Sequence, residues 1–170
     1  MEKTFPYHDR LATVLGLPKL LPGTHSFDFY GGQSAQIEIQ YTWLAVINRP
    51  DAAPQIVAVS KSNTHVAVHL LVKNPVSDGE NSCVTEIPKD PVYSLLAENG
   101  CKAPEEKASQ LDGAMYEVFY HSHILDAHFS FTEGATGFCE ELRKAINSMA
   151  SDIAYRSGKP HLIGAAKELK

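Results

Sequence analysis

Residues 36–47 read Gln36-Ile37-Glu38-Ile39-Gln40-Tyr41-Thr42-Trp43-Leu44-Ala45-Val46-Ile47. Ile37, Ile39, Tyr41, Trp43, Ala45 and Ile47 share one parity; Gln36, Glu38, Gln40 and Thr42 share the other. Side chains alternate across a strand, so this period of two predicts a β-strand with one face in the core and one in water. A strand wetted on one face belongs to an antiparallel sheet, because parallel strands are covered on both faces.

The flanking sequence extends the same pattern. Phe27 and Phe29 alternate with Ser26, Asp28 and Tyr30, and Gly31-Gly32 then supplies a tight hairpin turn. After a proline-marked loop from Asn48 to Pro54, a second hairpin is expected from Gln55–Val59 and His65–Val72 around Lys61-Ser62-Asn63-Thr64. In its second arm Val66, Val68, Leu70 and Val72 are assigned to the core, and His65, Ala67, His69 and Leu71 to the opposite side. Lys73–Lys89 is polar and proline-broken, a loop with a short strand at Val84–Ile87. Residues 114–123 and 127–132, aromatic and β-branched, predict two further strands.

Helices punctuate the two ends and the middle. Tyr7–Leu15 predicts a short one, stopped by Gly16 and Pro18, and Pro104–Leu111 adds a turn or two. Asp90-Pro91 opens another: the carboxylate caps free N–H groups, and proline at the first helical position loses no hydrogen bond. Leu95 and Leu96 supply its buried side and Gly100 its end. Phe138, Leu142, Ile146, Met149 and Ile153 recur at helical spacing and trace one apolar stripe, with Thr136 as its cap and Gly158 as its stop. The expected fold is α+β: an antiparallel sheet of about six strands, with a long C-terminal helix and shorter helices packed mainly on one face. It forms a single domain over 1–156, followed by a C-terminal tail, 157–170.

The chain has 170 residues with 15 Lys and Arg against 20 Asp and Glu, a formal charge of -5. That balance lacks the basic footprint of a nucleic-acid binder and gives no attraction to an anionic membrane. Pro6, His8, Asp9 and Arg10 interrupt the apolar core a signal peptide needs, and the longest apolar run is only Trp43–Ile47. Three cysteines without a C-x-x-C pair fit reduced thiols in a cytoplasmic protein.

Three functional readings follow from the residues. The polar sheet face would carry Gln36, Glu38, Gln40, His65 and His69, with Tyr30, Tyr116 and Tyr120 on exposed parities nearby. Exposed tyrosines favour contact surfaces. No P-loop, G-x-G-x-x-G or G-x-S-x-G is present. The first reading is therefore a non-enzymatic binding or adaptor domain, accessory, chaperone-like or self-associating, that uses this face or an edge strand, with a protein partner or a second copy and no cofactor. The second is a metal-dependent enzyme or metal-binding protein, with zinc or iron on His121, His123, Asp126 and His128, because two imidazoles two residues apart share a strand face. This stretch is similar to the H-x-H-x-D-H of metallo-β-lactamase-like hydrolases, with one residue more before Asp126, and to the H-x-H of cupins, without the downstream glutamate. The third is a carrier of a small apolar ligand between the sheet and the long helix, where Phe129, Phe131 and Phe138 converge.

Overall fold

The computed structural model describes residues 23–29, 33–50, 52–62, 68–72, 82–86, 89–99 and 113–169. Strands β1 (Gly23–Phe29), β2 (Gln33–Arg49), β3 (Ala52–Ser62), β4 (Val68–Val72) and β5 (Ser82–Glu86) come first. Helix α1 (Pro91–Asn99), strands β6 (Met115–Ser122) and β7 (Asp126–Thr132), and helices α2 (Phe138–Ser157) and α3 (Pro160–Lys167) follow. The strands form one antiparallel sheet in the order β5-β4-β3-β2-β6-β7, with β1 also paired to β2. The fold is α+β. Among the described residues seven strands are present where about six were expected, because β5 is a full strand paired along its whole length with β4. The expected helices at 7–15 and 104–111, the glycine turn at 31–32 and the helix stop at Gly100 lie outside the described residues.

Strand β2 is the spine. One edge pairs with β3 from Ile39 to Arg49; the other is shared by β1 on residues 33–39 and β6 on residues 41–48. Tyr41, Trp43, Ala45 and Ile47 point with Val57 and Val59 into a core closed by Leu142, Ile146, Met149 and Ile153 of α2. The expected stripe and sidedness hold here. The cap of α2 differs: Gly137, at φ 66°, occupies the N-cap, a left-handed conformation that strains residues with a Cβ, and Thr136 stands one residue outside. At the other end Gly158 adopts the same hand and donates its N–H to Tyr155.

The other sheet face departs from expectation. Gln36, Glu38 and Gln40 are exposed, but on the same parity Thr42, Leu44 and Val46 are buried, as are their β3 neighbours Ser60, Ala58 and Ile56. The exposed polar side chains of β2 are therefore confined to its first half. The cause is in the composition: Trp43–Ile47 and Ile56–Val59 are apolar at both parities, the mark of strands covered on both faces.

In β6 the sides also differ from expectation. Tyr116 and Tyr120, expected at a surface, are 1% and 4% exposed and join Val118 in the helix-side core. Phe119, expected in that core, lies on the opposite parity and stacks on His128 at 4.2 Å. A tyrosine ring buries well when its hydroxyl finds a partner, and Tyr116 Oη donates to Asn147 Oδ1 at 2.9 Å. Glu117, Phe119 and His121 occupy the alternate positions, on the face turned away from that core.

The segment read as a tail continues as α3, whose Leu162 and Ala166 enter the same core with Leu169 beyond it. Two side chains hold this end through polar bonds: Gln55 Nε2 donates to the Ala165 carbonyl at 3.1 Å and Asn147 Nδ2 to the Leu169 carbonyl at 2.6 Å. No helix among the described residues is long and apolar enough to cross a membrane.

Two substitutions probe this packing. Ile146→Ala, at a fully buried position, is expected to lower unfolding free energy by about 2–5 kcal/mol in urea denaturation. Asn147→Ala leaves Tyr116 and the Leu169 carbonyl without their partner; a loss of about 1–3 kcal/mol is expected, with hydrogen exchange accelerated first in α3.

Candidate functional site

The start of α1 is fastened to the middle of the sheet by Asp90. Its Oδ1 accepts the backbone N–H of Tyr93 at 3.0 Å, the capping bond expected of an aspartate before Pro91. Its Oδ2 accepts Trp43 Nε1 at 2.8 Å and Tyr41 Oη at 3.0 Å, both from the helix-side face of β2. The Val92 N–H contributes as well. A carboxylate has about four lone-pair sites, and here four donors address them. Burial raises the Asp90 pKa above the ordinary carboxylate value, and the hydrogen bonds from Tyr93, Trp43, Tyr41 and Val92 pull it back. Burial, followed by the Asp90 charge, drives the Tyr41 pKa far upward, so its phenol stays protonated.

Aromatic packing completes this junction. Tyr93 lies flat on Tyr41, with centroids 3.8 Å apart and planes at 8°, and meets Tyr120 at 6.3 Å. Next to Tyr41 the β2–β3 ladder breaks register between Ile39 and Tyr41, leaving Gln40 as an extra residue. Such bulges re-aim side chains and terminate regular pairing.

Beside the junction opens a cleft of about 720 Å³. Its floor is Tyr41, Asp90 and Tyr93, and one wall is the face of α1 formed by Pro91, Ser94, Leu95 and Glu98. Lys61, directly across the ladder from Tyr41, and Lys89, next to Asp90, contribute cations; Glu141 of α2 adds a carboxylate. Neither lysine makes an ion pair with a described residue. The floor's carboxylate already accepts four hydrogen bonds and its phenol stays protonated, so neither is free to take up a proton.

The residues singled out from sequence fall elsewhere. Gln36, Glu38 and Gln40 are exposed, away from the cleft lining. His65 and Tyr30 lie outside the described residues. The backbone register pairs His69 with Val59, a helix-side position, and not with the Ser60 or Ala58 positions of the opposite face where it was expected. Among the described members of the proposed surface, Tyr120 reaches the junction, from inside.

The four residues of the metal reading are not brought together. His121 Nδ1 and Asp126 Oδ1 bond at 2.9 Å, His128 Nε2 bonds Glu117 Oε1 at 2.9 Å, and His123 is exposed in the β6–β7 turn. The strand ends at Ser122, so the parity that would align His121 with His123 is lost. Among the described residues no group of three or more His, Cys, Asp or Glu is placed to hold a metal ion. Phe129, Phe131 and Phe138 do converge, but they pack on one another, at 6.3 and 6.2 Å between neighbouring centroids.

Ser60, Thr42, His121 and Asp126 follow one another across β3, β2, β6 and β7. This hydroxyl–imidazole–carboxylate row has the residue types of a nucleophile and its base. Thr42 and His121 are only 2% and 3% exposed, which closes them to a substrate.

The chain matches no protein-family model, no curated protein and no solved structure.

Sequence reasoning found Asp90 as a helix cap and missed its second role. A signal was present: Tyr41 and Trp43 both face inward, and a buried indole N–H or phenol needs an acceptor. Asp90→Ala removes the cap and strands the Trp43 donor, so a loss of about 2–4 kcal/mol is expected in urea denaturation; Asp90→Asn keeps a capping oxygen but turns its amide N–H group toward the Trp43 indole, so it too is expected to destabilise. Since the folded-state pKa of Asp90 is raised, the native state binds the proton more tightly than the unfolded chain. Wild type should lose stability relative to Asp90→Asn as pH climbs from below the ordinary carboxylate range through the raised value. Denaturation midpoints of the two proteins across that range check the sign.

Proposed function

We propose that the chain is a non-enzymatic binding or adaptor domain that holds a protein partner in the cleft between α1 and the β2–β3 end of the sheet. The observation that carries this reading is the Asp90 junction: four donors on one carboxylate fix α1, Tyr41 and Tyr93 before any ligand arrives. Preorganisation of this kind lowers the entropy lost on binding. The lining mixes aromatic, aliphatic and charged groups, the composition that recognises peptide side chains and not a single apolar molecule. The exposed Gln36, Glu38 and Gln40 lie apart from the cleft lining.

Peptides selected from a displayed random library against the full chain test the location. Ser94 is exposed on the cleft wall, and Ser94→Trp fills the space without touching the core. The selected peptides should bind this variant at least ~10-fold more weakly by calorimetry, about 1.4 kcal/mol, with thermal unfolding unchanged. The combined Gln36→Ala, Glu38→Ala and Gln40→Ala variant should bind as wild type does. Affinity lost in the triple variant and kept in Ser94→Trp places the site on the sheet face and refutes the cleft.

A further inference from the structure

The cleft is electrically polar along its length. Lys61 and Lys89 stand at the end where α1 begins, since Lys61 lies across from Tyr41 and Lys89 adjoins the Asp90 that Tyr41 bonds. The helix N-terminus adds partial positive charge to the same end. Pro91, Ser94, Leu95 and Glu98 recur at intervals that keep them on one side of α1, which makes that side the cleft wall. From Pro91 to Glu98 the helix rises about 10 Å, and Glu98 brings a carboxylate near the negative end of the helix dipole. Lys89 and Glu98 are exposed, and Lys61, Lys89, Glu98 and Glu141 form no ion pair with a described residue. Between the two ends lie Leu95 and Tyr93, each half-buried, which give an apolar middle.

Resting on the cleft as the binding site, we infer that its occupant is a short extended peptide segment of mixed charge, with an acidic side chain against Lys61 and Lys89, an apolar residue over Tyr93 and Leu95, and a basic side chain against Glu98. The spacing decides the class. The wall of α1 from Pro91, next to Lys89, to Glu98 is about 10 Å long, which corresponds to about three residues of extended chain at ~3.3 Å each. A uniformly acidic ligand meets Glu98 and Glu141, and a uniformly basic one meets Lys61 and Lys89. Like-charge contact rejects both, which is how a mixed lining becomes selective.

Five capped, fluorescein-labelled peptides read this out by anisotropy with the full chain: Asp-Leu-Leu-Lys, its reverse Lys-Leu-Leu-Asp, Asp-Leu-Leu-Asp, Lys-Leu-Leu-Lys and Gln-Leu-Leu-Gln. One of the two mixed-charge peptides should bind at least ~10-fold tighter than either like-charged one, with the margin shrinking as salt is raised. Joint replacement Lys61→Glu and Lys89→Glu should transfer the preference to the doubly basic peptide; Glu98→Lys with Glu141→Lys should transfer it to the doubly acidic one. A misfolded variant would lose all binding and could not exchange one preference for another. Equal binding of all five peptides, abolished by Ser94→Trp, overturns the charge assignment and leaves the cleft as the site. Binding of none overturns the assignment too, and the library peptides then decide separately whether the cleft binds at all.

Discussion

The carboxylate of Asp90 joins two levels of the structure that would otherwise be independent. One oxygen ends the backbone of α1, and the other meets the buried Trp43 and Tyr41 of the central strand. Each group solves the other's problem. The indole and phenol need an acceptor inside the core, and the ionised carboxylate needs donors to offset its lost hydration. Because the bonds converge on one residue, the helix cannot slide along the sheet without breaking several of them together. The cleft beside α1 inherits its shape from that constraint, and its aromatic floor is the same pair of residues, Tyr41 and Tyr93.

Around this junction the sheet is asymmetric along its strands as well as between its faces. Helix α2 covers one side throughout the centre, while along β2 the side chains change from exposed at Gln36, Glu38 and Gln40 to buried from Tyr41 to Ile47. The C-terminal helix is seated by polar hooks as much as by apolar area: Gln55 and Asn147 each donate to a carbonyl at or near its end. Those bonds cross more than twenty residues of chain, so they hold separate elements in a defined relation where apolar contact alone would permit sliding.

Legibility varied with the nature of the signal. Long periodic patterns were readable: the stripe Leu142, Ile146, Met149, Ile153 and the alternation from Ile37 to Ile47 each repeat many times, and repetition suppresses accident. Short strands were not. In β6 both parities offer large rings, Tyr116 and Tyr120 against Phe119, and choosing between them requires knowing that Asn147 of α2 stands ready to bond a phenol. The register of β4, which sets His69 opposite Val59, depends on its pairing with β3, and the pattern of one strand does not contain it. The site was half visible: Asp90 announces a helix cap, while Lys61, Tyr93 and Glu98 carry no local mark that they will line one space.

What the sequence determined by itself is local and repetitive: an antiparallel α+β chain, the capped start of α1, the glycine stop of α2 and the apolar stripe that seats it. These follow from backbone geometry and side-chain period, which act over a few residues and do not depend on distant partners. Only the tertiary structure decided which carboxylate the Trp43 indole reaches, which face of β6 is buried, and where opposite charges line up along a cleft. Such outcomes depend on groups 31 to 49 residues apart in the chain meeting at hydrogen-bond distance. A short-range contact between distant residues is a property of the folded geometry, and one strand's pattern does not contain it.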